Sequence, residues 1–158
     1  MRPKPLAIPL FAWLAILLCT LPAGAQNTDV AVVVNENNRA DNLTLAELRK
    51  VFVGERRSWA VGLPIKLIVR GPGAHERRVL LKLLGMTESE YKEYWIAQIF
   101  RGEADAEPLA LPSLSLEEKA VSIFPGAVAF VDAQEVKSGM RLLKLNGHMP
   151  GEPGYPLH

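Results

Sequence analysis

Ile65-Lys-Leu-Ile-Val-Arg70-Gly-Pro-Gly-Ala-His-Glu76-Arg-Arg-Val-Leu-Leu-Lys-Leu-Leu-Gly85 passes from an apolar run, through two glycines and a proline, into a new periodicity. The run Ile65 to Val69 is nearly continuous rather than alternating, as in a strand covered on both faces. Beyond the turn, Val79, Leu80, Leu83 and Leu84 recur at helical spacing. This predicts a helix over roughly Glu76 to Leu84, stopped by Gly85. One buried strand feeding one amphipathic helix is the unit of an α/β fold.

Working outward, the same grammar repeats. Val30 to Val34, Ala127 to Val131 and Leu142 to Leu145 read as further buried strands. Thr44-Leu-Ala-Glu47 is a capping box, with Leu43 and Leu48 placed to form its hydrophobic staple. The helix it opens puts Leu45, Leu48 and Phe52 on one face and stops at Gly54. Thr87-Glu-Ser-Glu90 opens a helix with Tyr91, Tyr94, Trp95 and Ile99 along one side, closed by Gly102. Ser115-Leu-Glu-Glu118 opens a short helix ending near Pro125-Gly126. Residues 103–113 read as a Pro-containing loop. The order is β-α-β-α-α-loop-α-β-β, which predicts three layers around a small, mainly parallel sheet. Trp59, in the turn after the first helix, reads as a cap on the core beneath that loop.

The chain has 158 residues, 49% of them apolar, with 18 basic and 17 acidic side chains. This composition excludes disordered, collagen-like and coiled-coil chains. The charge balance leaves no footprint for nucleic acid or an anionic membrane surface. Arg2 and Lys4, the apolar run Leu6 to Leu18, and Ala23-Gly-Ala25 have the form of a Sec-type secretory signal cut before Gln26. The apolar run falls short of the ~20 residues a spanning helix needs. Cys19, the only cysteine, leaves with that segment, and Leu18 before it is not the small residue lipidation requires. The expected organisation is a signal at 1–25, an α/β domain at 26–145 and a Gly/Pro-rich tail at 146–158. The mature chain of 133 residues, with 16 basic and 17 acidic groups, is expected in the periplasm.

Enzyme signatures are poor. No nucleophile elbow, dinucleotide or Walker loop, or H-E-x-x-H is present. The mature chain has no thiol, and no nucleophile–base pair is visible for a hydrolase. His75, His148 and His158 are spaced as solvated surface residues rather than metal ligands, and no cofactor is implied. Glu88, Glu90 and Glu93 sit where acids favour a helix N-terminus. The informative place is the turn after Ile65–Val69. The first turn of a helix offers backbone N–H groups and a partial positive charge to an anion. Glycine lets the backbone approach closely. Arg70 at the strand end and Arg77 one turn into the helix can add charge-assisted contacts. A plain β-to-α turn with solvated arginines explains the same spacing, and Glu76 counts against an anion.

The residues also resemble a family. Leu43-Thr-Leu-Ala-Glu-Leu48, Phe52-x-Gly54, Trp59-x-x-Gly62, Pro64-Ile65 and the strand ending in Arg70 look like the phosphate-binding proteins of ABC transporters. These are type II periplasmic binding proteins. The match continues through Tyr94-Trp95, Phe100-x-Gly102, Pro125-Gly-Ala-Val-Ala-Phe130, Asn146-Gly147-x-x-Pro150 and Gly154-Tyr-Pro-Leu157. The resemblance begins where that family enters its second lobe and ends where its chain would cross back to the first. It implies the three-layer α-β-α single lobe of a type II periplasmic binding protein. It also implies a phosphate or similar oxyanion ligand at Arg70, Gly73, Ala74, His75 and Arg77, and work with a membrane permease.

The departures are specific. Ala74 and His75 stand where the family places ligand hydroxyls and amides. Pro72 lies near its proton-accepting acid, and the first lobe's ligands are absent. Two arginines and backbone amides predict weak affinity, about millimolar, because each charge-assisted bond contributes only ~1.5–3 kcal/mol. A second copy of the chain, or a lobe from another protein, would be needed to close the site. The alternative is an interaction or regulatory module that kept the fold and lost the ligand. Its mark would be Leu109, Leu111 and Leu114, a sticky patch if exposed.

Overall fold

The computed structural model describes residues 29–60 and 62–158. The expected signal segment, its cut before Gln26 and Cys19 lie outside the described residues. Seven strands and four α-helices follow in order. They are β1 (Val30–Asn35), β2 (Asn42–Leu43), α1 (Leu45–Phe52), β3 (Lys66–Arg70), α2 (His75–Leu84), α3 (Glu88–Phe100), β4 (Leu109–Leu111), α4 (Leu114–Ile123), β5 (Ala127–Asp132), β6 (Met140–Leu142) and β7 (Lys144–Leu145). A single 3-10 turn, Ala133–Glu135, follows β5.

The main sheet has the order β4-β3-β5-β1-β6, and β2 pairs with β7 apart from it. β3 is parallel to β4 and β5, while β1 is antiparallel to β5 and β6. Four of the five strands therefore point the same way, and β1 alone is reversed. Side-chain alternation splits the core into two layers. Val30, Val32, Val34, Val128 and Phe130 face α1, α2 and α3; Ala31, Val33, Ala129 and Val131 face α4. Burial on both faces explains why β1 reads as an unbroken apolar run although its neighbours are antiparallel to it.

Local capping accounts for the starts of α1 and α3. Thr44 and Thr87 each form the full reciprocal box, with Glu47 and Glu90. Gly85 ends α2 in the left-handed conformation, at φ 69°. Trp59 is buried, and its Nε1 donates to the Gly126 carbonyl at 3.0 Å.

Four expectations need correction. Residues 103–113 are not all loop, because Leu109–Leu111 forms edge strand β4 on β3. α4 starts earlier than the box at Ser115 implied. Ser113 is its cap, accepting from the Leu116 N–H, and Ser115 lies inside the helix. Ile99 leaves the buried side of α3 and is exposed, whereas Tyr91 and Trp95 are buried. The run Leu142 to Leu145 divides: Leu142 pairs with Val33 in the main sheet, and Lys144 pairs with Asn42 in the small one. Leu109, Leu111 and Leu114 pack as partly buried residues on the α4-side core, so they form no exposed patch. The tail is tied back to β1. Tyr155 Oη donates to the Val30 carbonyl at 2.8 Å, and the Val30 N–H donates to the Leu157 carbonyl at 3.0 Å.

Candidate functional site

The turn between β3 and α2 is built from the backbone outward. The Gly71 N–H donates to the Leu111 carbonyl of β4 at 3.0 Å, which anchors the exit of β3. Gly73 has φ 90°, a conformation that strains any side chain. Ala74 then takes the N-cap position of α2 in an extended conformation and supplies no side-chain hydrogen bond. The helix thus opens, at the carboxyl end of a central strand, without the oxygen that usually satisfies its first turn. His75 and Glu76 occupy that turn, and the Arg78 guanidinium donates to the Gly73 carbonyl at 2.7 Å.

The two arginines part company. Ile68 belongs to the α4-side core and Val69 to the other, so Arg70 returns to the α4 side. Its Nε lies 4.0 Å from Glu76 Oε1 and 3.9 Å from Glu117 Oε2. Arg77 turns toward α3. Its guanidinium makes a two-toothed pair with Glu88, with the shortest contact 2.8 Å, and sits 4.0 Å from the centre of the Tyr91 ring. The structure therefore brings Arg70, Gly73, Ala74 and His75 to one turn and holds Arg77 on its own acid. Arg70 and Arg77 still border a common cavity of about 360 Å³ beside the turn, with Pro72, Tyr91 and Lys92.

Glu117 is the group the sequence reading missed. It is fully buried, and neither carboxylate oxygen has a hydrogen-bond partner. Burial pushes its carboxyl up to about 8, against the pull of Arg70 and with the help of Glu76 and Glu118. Its signal was present but hidden. Glu117, Ala120 and Val121 share helical spacing, which places an acid on the apolar face of α4 once the helix starts at Leu114.

The other candidates have local roles. Glu90 completes a cap, Glu88 holds Arg77, and Glu93 accepts from Ser89. His158 lies 3.1 Å from Asp29, and His148 packs under Gly154. Among the described residues, no group of three or more His, Cys, Asp or Glu is placed to hold a metal ion. No helix among them is long and apolar enough to cross a membrane.

No family model matches the sequence. Solved structures do match the fold. A Clostridium perfringens protein assigned as a phosphate ABC transporter substrate-binding protein, with bound phosphate, superposes with a TM-score of 0.63 at 16% identity; the match covers 77% of this chain and 46% of that one. An ABC-type phosphate transport receptor from Vibrio cholerae gives 0.62 at 23% identity, covering 80% and 53%. PstS from Borrelia burgdorferi gives 0.57 at 15% identity, covering 77% and 49%. The chain spans about half the length of these structures, and its fold is similar to that half of a phosphate-type substrate-binding protein.

Proposed function

We propose that the chain is a non-catalytic, periplasmic substrate-binding protein of single-lobe form, exported by its leader and serving ABC-type phosphate uptake. Its ligand is phosphate or a similar oxyanion, taken at the turn formed by Arg70, Gly73, Ala74 and His75. The observation that carries this reading is the uncapped first turn of α2 at the carboxyl end of β3, with Arg70 beside it. Open α/β sheets take ligands at such strand ends, and helix N-termini favour anions. The fold shared with phosphate-binding proteins supports the same reading.

Arg70 is already drawn toward two carboxylates, so the free-energy gain on binding is small. Affinity near millimolar follows from one or two charge-assisted bonds in an open site. A second copy of the chain or a lobe from another protein would close the site and tighten it; Arg77 would contribute only by leaving Glu88.

The test is calorimetry of phosphate into Arg70→Ala and Arg70→Lys beside the parent. Arg70→Ala is expected to show no binding heat. Arg70→Lys keeps a counter-charge for Glu76 and Glu117 while losing the planar fork, and is expected to bind more weakly than the parent. Parent-like affinity in both variants would overturn the site.

A further inference from the structure

Glu117 lies behind the turn, and no step of the reading above uses it. We propose that Glu117 is a positioning residue for the anion site: ionised, it draws the Arg70 guanidinium back against α4, and protonated, it leaves the guanidinium to the anion. Where Glu117 starts out ionised, anion binding then takes up as much as one proton from solvent onto its carboxylate. The inference rests on the anion-binding reading of this turn.

The geometry is that of an undecided ion pair. Arg70 Nε is 3.9 Å from Glu117 and 4.0 Å from Glu76, beyond hydrogen-bond reach of either. Arg70 Nε and Nη1, and both oxygens of Glu117, are buried without a hydrogen-bond partner. The Arg70 side chain nevertheless keeps 16% of its surface exposed, at the mouth of the turn. A guanidinium attracted by two carboxylates and bonded to neither has both arrangements within reach. Buried polar groups without partners are costly, so each arrangement gains by satisfying what the other leaves open.

Every charged neighbour of Glu117 bears on the balance. Arg70 faces it from β3, Glu76 from the first turn of α2, and Glu118 from α4 itself. Glu118 is in turn held by Lys137 at 2.7 Å. From the remaining strands α4 meets apolar groups, among them Ala31, Val33, Ala129, Val131, Leu109 and Leu142, and the uncharged Asn35 of β1, whose Nδ2 donates to the Val121 and Ser122 carbonyls. Because Glu117 is fully buried, its ionised form and an anion at the turn repel each other. Burial holds the Glu117 carboxyl near 8, which brings its proton exchange into the working range of pH.

Sulfate is the probe, because it stays dianionic from about pH 6 to 9.5 and brings no titration of its own into the linkage. Its affinity for the parent protein is expected to hold steady below about pH 7 and to fall up to tenfold per pH unit above about pH 8. In Glu117→Gln the fall should vanish, and Glu117→Asp should restore it. A parent profile that stays flat to pH 9.5 would overturn the proposal, and this arm needs no variant to fold. Equal slopes in the parent and Glu117→Gln would overturn it as well. Absence of both sulfate and phosphate binding at every pH would instead overturn the anion site, and this inference with it.

Discussion

Ala74 stands where helices usually carry Ser, Thr, Asp or Asn, and that substitution makes the turn testable. An aspartate there would accept from the first-turn N–H groups and occupy the place of the anion. Ala74→Asp is therefore expected to stabilise the protein by about 1 kcal/mol and to abolish phosphate binding, measured by thermal melts and calorimetry on the same sample. Stabilisation with unchanged binding would move the anion away from α2. Glu117 yields a prediction that depends on pH. Its carboxyl is raised from 4.5 to about 8, so the folded protein keeps a proton that the unfolded chain releases. The stability from this group is complete below about pH 4.5 and is lost as pH rises through about 8. Glu117→Gln should melt higher than the parent at pH 9, with the gap closing toward pH 5. Parallel melting curves at both pH values would contradict the buried acid. Arg70 and the Gly-rich turn were legible in the sequence because strand, turn and helix follow one another. The partners of Arg70 and Arg77 were not, because strand alternation and the register of α4 decide them at long range.

Helix starts were legible wherever the information is local. The boxes at Thr44 and Thr87 need only four consecutive residues, and both form. β4 carries no such signal. Its three residues between Pro108 and Pro112 are a strand only because β3 is there to pair with. α4 offered two serines two apart; Ser113 is the one that caps it, and Glu117 falls on the buried face with Ala120 and Val121. Where the connection into β3 crosses the entry to β5, elements meet backbone to backbone. A Cβ on Gly126 would lie 1.8 Å from the Pro64 carbonyl oxygen, and the Gly126 carbonyl accepts from both Trp59 Nε1 and the Lys66 N–H. Gly126→Ala should destabilise by at least the ~1–3 kcal/mol usual for overpacking, read as a lower denaturant midpoint. A parent-like midpoint would mean that this contact relaxes freely.

At the scale of the whole molecule, the reversed strand β1 joins both ends of the described chain. It lies between β5 and β6, and the tail closes over its start through Tyr155 and Leu157. Tyr155→Phe, which removes one buried hydrogen bond to Val30, should cost about 1 kcal/mol in equilibrium unfolding; no change would mean the tail is not coupled to the core. The proposed anion site is one helix end, the uncapped start of α2 at the carboxyl end of β3. The most direct test of that claim is isothermal titration of phosphate into the purified protein, with its mass in solution determined on the same sample. Saturable heat with a dissociation constant near millimolar is expected, tighter if the mass is that of a dimer that closes the site. A folded protein that gives no heat with phosphate up to several tens of millimolar would contradict the account.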